Sequence, residues 1–129
     1  MKNRVLVADD NPVSRELIRE ILEAADYEVL EAADGRDTLE RIAATRPGLV
    51  LLDIQMPILD GYAVLRTLRG DPNWHALRVL ALTACAMESD RERARAAGFD
   101  GFITKPIQAA ELRRQVAECF ARRSAATGK

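Results

Sequence analysis

Short apolar runs alternate with longer amphipathic stretches five times along this chain, at nearly even spacing. The runs are RVLVA from Arg4, YEVLEA from Tyr27, LVLLD from Leu49, RVLALT from Arg78 and GFIT from Gly101. Most are too short for core helices and rich in Val, Leu and Ile, so they predict strands. The second run sets Glu28 and Glu31 among apolar residues, which predicts a more exposed strand. Between the runs, Val13, Leu17, Ile18, Ile21 and Leu22 fall on one helical face, as do Leu39, Ile42 and Ala43, then Val64, Leu65 and Leu68, then Leu112, Val116 and Phe120. Asn11-Pro12 reads as an N-cap with proline at the first helical position. Gly70 and Gly98 read as helix stops. ESDRERARAA, Glu88–Ala97, offers only alanines as apolar side chains, so it predicts a fourth helix anchored by little buried area. Such alternation predicts an α/β fold, a parallel sheet with helices on both faces.

No Gly/Ser linker interrupts the 129 residues. One domain is expected over residues 1–123, with 124–129 as a flexible tail. The net charge of −1 projects no field toward nucleic acid or a membrane surface, so neither is expected as a direct partner. Residues 88–129 carry 9 basic and 6 acidic side chains, which reads as solvated helix faces. Cys85 and Cys119 form no disulfide framework or metal-ligand spacing, and His75 has no second ligand beside it. The N-terminal apolar run is too short for a signal peptide, and no stretch approaches the roughly 18 apolar residues of a membrane helix. A cytoplasmic protein with reduced thiols is expected.

In open parallel sheets, ligands bind beyond the carboxyl ends of the strands. Here the first strand ends in Asp9-Asp10, the third in Asp53, the fourth in Thr83 and the fifth in Thr104-Lys105-Pro106. If the first and third strands are neighbours, three carboxylates converge beside a hydroxyl and an ammonium. Packed carboxylates repel unless they are protonated or paired, and a divalent cation relieves the repulsion. Mg2+ favours oxygen ligands and is often held by one or two carboxylates plus a phosphate oxygen. The pattern predicts a pocket for Mg2+ and a phosphoryl group, with one carboxylate as the nucleophile that accepts it. Asp53, ending the most apolar strand, is the choice for that role. Lys105 and Thr83 would meet phosphoryl oxygens, and Asp9 and Asp10 would serve the metal.

VADDN at residues 7–11, LLDIQMPILDG at 51–61, LTA at 82–84 and FITKP at 102–106 resemble the response-regulator receiver family of two-component signalling. The resemblance covers roughly residues 4–122 and is nearest to stand-alone DivK-like regulators and the receivers of hybrid kinases. It implies a doubly wound, CheY-like sheet of order 2-1-3-4-5 with five helices. It makes Asp53 the phosphoacceptor, with Asp10, Asp53 and the backbone carbonyl of Gln55 binding Mg2+ directly and Asp9 acting largely through water. Thr83 becomes the switch hydroxyl, Lys105 the phosphate partner, and Lys105-Pro106 a cis peptide bond. Phe102 stands at the switch aromatic position, where many relatives carry Tyr, so an output hydrogen bond from that side chain is lost and packing remains. Gln55 and Cys85 fall at positions tied in the family to dephosphorylation rate.

The implied donor is a sensor histidine kinase or a histidine phosphotransfer protein. Output is expected through the fourth helix, fifth strand and last helix to a downstream protein target, because the chain ends soon after that helix. The protein would act on itself and would not be an enzyme with a free substrate. Two rivals are weaker. A haloacid-dehalogenase-like phosphatase needs a second Asp two residues after the nucleophile, where Gln55 stands. A phosphorylation-independent pseudo-receiver is the alternative, but the full set Asp10, Asp53, Thr83 and Lys105 argues against decay. No G-x-G-x-x-G or Walker loop follows the first strand.

Overall fold

The computed structural model describes residues 2–84 and 87–127, with side chains to residue 121. Ten elements alternate: β1 Arg4–Ala8, α1 Pro12–Ala24, β2 Glu28–Ala32, α2 Gly35–Thr45, β3 Leu49–Asp53, α3 Gly61–Arg69, β4 Arg78–Thr83, α4 Glu88–Ala97, β5 Gly101–Thr104 and α5 Ala109–Thr127. The strands form one parallel sheet in the order β2-β1-β3-β4-β5. All five run in the same direction, so their carboxyl ends gather at one rim. The register sets Ala8 beside Leu52, Asp53 beside Leu82 and Thr83 beside Thr104. Side-chain alternation splits the core in two. Leu6, Ala8, Val50, Leu52, Val79 and Ala81 face α2, α3 and α4, while Val5, Val7, Leu49, Leu51, Leu80 and Leu82 face α1 and α5. Burial of both faces explains why β3 is apolar throughout until Asp53.

Capping follows the sequence. Asn11 Oδ1 accepts from the backbone N–H of Val13 and Ser14 with Pro12 at the first helical position, and Gly98 ends α4 at φ 109°. Asp34 and Asp60 cap α2 and α3 by accepting from Asp37 and Ala63. β2, an edge strand, buries only Ala32 fully, as its glutamates predict. The apolar face expected on α1 is corrected in part: Ile18 and Leu22 are buried, but Val13 is 74% and Leu17 41% exposed. α1 starts beyond the end of β1, so its first turn overhangs the sheet rim, and Leu17 lies about 100° around the helix from Ile18. On α2, Ala43 is exposed and Thr38 takes the buried place, its hydroxyl donating to the Asp34 carbonyl.

α4 buries only Ala94. Two arginine–aromatic contacts hold its flanks: Arg91 lies 5.3 Å from the Phe102 ring centroid and Arg93 4.5 Å from that of Tyr62. At exposed sites each is worth only about 0.5–1 kcal/mol. Its C-terminal end is tied more firmly. Arg69 of α3 donates to the carbonyls of His75, Leu77 and Gly98 and to Asp100, which also accepts from the Val79 N–H. The helix is therefore fastened at its far end and lightly held near the sheet rim. α5 is helical to Thr127, and the expected tail lies beyond the described side chains.

The loop between β3 and α3 carries strain. Ile58 is 72% exposed and sits at φ 73°, a region a β-branched residue enters at a cost of about 1–3 kcal/mol. Leu59 N–H donates back to the Pro57 carbonyl across it. Ile58→Gly is expected to raise stability by about 1 kcal/mol, after subtracting the chain entropy that glycine adds to the unfolded state. Urea unfolding reads it, and a lowered midpoint would show that the side chain contributes more than the strain costs.

Candidate functional site

The rim brings the strand-end residues together. Asp9 follows β1, and its N–H donates to the Ala32 carbonyl at 3.1 Å. Its Oδ1 accepts from the Asn11 N–H at 2.9 Å, a turn that lets the side chain point into the rim. Asp53 ends β3 almost fully buried, with Oδ1 accepting from the Gln55 N–H at 2.9 Å and Oδ2 from Lys105 Nζ at 2.8 Å. Lys105 follows β5, its N–H donating to the Thr83 carbonyl at 2.8 Å, and the Lys105-Pro106 bond is cis. Its ammonium also stands 2.9 Å from Asp9 Oδ2. That contact is an ion pair off the line of a hydrogen bond, so Asp9 Oδ2 is buried without a hydrogen-bond partner. Asp10 is exposed at the mouth. Oxygens of Asp9, Asp10 and Asp53 all lie within 4.8 Å of one another.

Two of the three carboxylates, Asp9 and Asp53, share the Lys105 ammonium. Burial pushes the Asp53 carboxyl above its ordinary range; the bonds from Lys105 and Gln55 pull it down, and Asp9 adds to the rise. Burial opposes the charged form of Lys105, but its contacts with Asp53 and Asp9 outweigh this and keep the ammonium protonated. The two shifts differ in origin: burial drives that of Asp53, and the neighbouring carboxylates drive that of Lys105. A hard dication offered oxygen ligands fits such a donor set, and Asp9 Oδ2, ion-paired with Lys105 but without a hydrogen bond, keeps acceptor capacity for it.

Thr83 is buried at the end of β4 and lies on the same sheet face as Phe102, which pairs with the small Ala81. Gln55 is exposed beside Asp53. Cys85 lies outside the described residues. Every strand-end residue singled out from sequence among the described residues is therefore at this rim. Sequence reasoning missed Arg15, whose Nη1 donates to the Asp9 carbonyl at 2.8 Å. No motif links positions six apart across a turn, and only the helix entry angle brings them together.

A doubly wound sheet in this order, with an aspartate cluster and a lysine at its carboxyl rim, is the architecture of a receiver domain in two-component signalling. The family model described as response regulator receiver domain matches residues 5–117, and the chain belongs to that family. Among curated proteins it is similar to the polar-differentiation response regulator DivK of Brucella anthropi, 36% identical over 107 residues, covering 83% of this chain and 87% of that one. A putative response regulator of Chloroflexus aurantiacus superposes with a TM-score of 0.90 at 30% identity, covering 94% of this chain and 99% of that one. The receiver domain of a Pseudomonas aeruginosa sensor histidine kinase, described with a magnesium ion coordinated in its active-site cleft, gives a TM-score of 0.86 at 32% identity over 94% of this chain and 99% of that one. No helix among the described residues is long and apolar enough to cross a membrane.

Proposed function

We propose that residues 1–123 act as a cytoplasmic phosphoryl-accepting switch, taking a phosphoryl group onto Asp53 from a histidine kinase or histidine phosphotransfer protein. The observation that carries this is the Asp53 carboxylate, fixed by Gln55 N–H and Lys105 within reach of Asp9 and Asp10. An Asp53 oxygen attacks phosphorus, the donor's P–N bond breaks, and the imidazole, already protonated on its other ring nitrogen, leaves neutral with the bonding pair. Lys105 is placed to exchange its bond with Asp53 for one to a phosphoryl oxygen, and the Thr83 hydroxyl donates to another. Asp10, Asp53 and the Gln55 carbonyl would hold Mg2+ directly and Asp9 through water. Mg2+ there supplies charge neutralisation of the phosphoryl oxygens. The chain acts on itself and turns over no free substrate.

Phosphorylation replaces one carboxylate charge by roughly −1.5 to −2 and adds acceptor oxygens. Moving a two-state equilibrium from 1:99 to 99:1 takes about 5.5 kcal/mol. Hydrogen bonds to charged groups contribute about 1.5–3 kcal/mol each, so two or three new ones suffice. As Thr83 moves toward the phosphoryl group, Phe102 turns inward beside Ala81, leaves Arg91, and frees the lightly held end of α4. The α4–β5–α5 face then presents a changed surface to a downstream protein.

Incubation with acetyl phosphate and Mg2+, borohydride trapping and peptide mapping tests the assignment. Label at Asp53 is expected. A protein that takes no label, or takes it elsewhere, is a pseudo-receiver or uses another residue.

A further inference from the structure

Arg15 lies in the second turn of α1 with 22% of its side chain exposed, and its guanidinium turns inward. Nη1 donates to the Asp9 carbonyl at 2.8 Å and Nε to Glu31 Oε1 of β2 at 2.9 Å. Glu31 Oε2 accepts from Arg19 at 2.7 Å, and Arg19 Nε reaches Glu23 at 3.2 Å. Arg15 is thus held by a carboxylate that is itself held.

Asp9 is pinned at three points. Its N–H is tied to Ala32, its Oδ1 to the Asn11 N–H, and its carbonyl to Arg15, leaving Oδ2 buried and turned to Lys105. The peptide unit is planar, so fixing the Asp9 carbonyl also fixes the amide nitrogen and Cα of Asp10. One guanidinium therefore sets where both acidic side chains start. We propose that Arg15 is a positioning residue for a divalent cation at Asp9, Asp10 and Asp53, clamping the Asp9–Asp10 peptide with Glu31 as its anchor. This rests on the reading of the rim as a cation site. By charge alone a guanidinium weakens cation binding nearby, and Glu31 offsets that charge. The contribution of Arg15 is geometric, and this fixes the sign of the test: a charge effect tightens binding when Arg15 is removed, and a positioning effect loosens it.

The experiment titrates the full chain with Mn2+, reading free Mn2+ by its electron paramagnetic resonance signal, and records the Asp10 amide resonance without metal. Arg15→Ala is expected to weaken Mn2+ binding about tenfold, the lower end for residues that orient metal ligands, and to move the Asp10 resonance. Arg15→Lys keeps the charge with a single donor head and is expected to weaken binding as well, so it serves if the alanine variant does not fold. Arg19→Ala breaks a comparable bond to Glu31 without touching Asp9 and is expected to change Mn2+ affinity by about twofold at most. Unchanged or tighter binding in folded Arg15 variants, or equal weakening by Arg19→Ala, overturns the assignment. Absence of Mn2+ binding by the wild type brings down the cation site itself, a different result from either.

Discussion

Asp53→Asn is expected to abolish phosphoryl acceptance and, in the absence of metal, to make the protein more stable than the wild type at neutral pH. The first effect follows from chemistry: an amide oxygen does not give an acyl phosphate, and Asp53 is the carboxylate whose Oδ2 accepts a hydrogen bond from Lys105 while a backbone N–H holds its Oδ1. The second follows from linkage. Burial, the largest influence, raises the Asp53 carboxyl above its ordinary range despite Lys105 and Gln55. A carboxyl that binds its proton more tightly folded than unfolded contributes its full stability below the unfolded value, near about 4. That contribution is lost as pH rises through the folded value. At pH 7 the Asp53 charge therefore works against folding. Asn carries no charge, can still accept from the Gln55 N–H, and leaves Lys105 paired with Asp9. Its advantage should shrink as pH falls through the folded range of Asp53 and the wild-type carboxyl takes up its proton. Mg2+ at about 100 times its dissociation constant stabilises a binding protein by about 2.7 kcal/mol, so saturating Mg2+ should reverse the order. Thermal melts with and without MgCl2 at pH 7 and at pH 4.5 read all three. An asparagine variant less stable than wild type without metal at pH 7 would mean that the Lys105 pair, and not burial, dominates the energetics of Asp53.

The site was legible in the sequence to the extent that strands advertise their ends. Asp9, Asp10, Asp53, Thr83 and Lys105 each follow a short apolar run, and a parallel sheet must bring such ends to one rim. Helix starts were legible where a side chain does the capping, as at Asn11. Helix faces were less so. Val13 and Leu17 carry the right periodicity but sit where α1 overhangs the sheet, and periodicity reports direction around a helix without reporting what lies beneath it. Arg69 and Arg15 were illegible for a different reason. Both act on backbone carbonyls, which every residue has, so their partners leave no mark in the sequence. The same holds for Arg91 and Arg93. ESDRERARAA correctly predicts a helix that buries little, but not that aromatic faces on two neighbouring elements take its arginines. A weakly buried helix held by such contacts can move when one of them is lost, and that gives the composition of α4 a role in switching.

Gly35→Ala is expected to cost about 3 kcal/mol, the upper end for overpacking, and to slow phosphoryl acceptance although residue 35 touches no reacting group. A Cβ at Gly35 would lie 2.1 Å from the Leu59 carbonyl oxygen and 2.5 Å from Leu59 Cβ. The start of α2 and the loop of residues 54–60 are in backbone contact there, and a methyl group fits only if one withdraws. The loop has little room on its other side. A Cβ at Gly61 would lie 2.6 Å from the backbone carbonyl oxygen of Asp53, and the Gly61 N–H already donates to the Ile54 carbonyl at 2.8 Å. The loop is also bent through Ile58 at positive φ. Displacing Leu59 therefore transmits to Gln55, whose N–H orients Asp53 Oδ1 and whose carbonyl is the proposed metal ligand. With a urea m-value of about 2 kcal/mol per M, the unfolding midpoint should fall by roughly 1.5 M. Gly70→Ala is the matched control: its Cβ would meet the Arg66 oxygen at 3.5 Å, an ordinary contact, and its effect should stay within about 0.5 kcal/mol. Equal midpoints for the two variants would show that α2 and the loop separate freely, and the phosphoacceptor would then owe its orientation to Lys105 and Gln55 without help from the glycine contacts behind them.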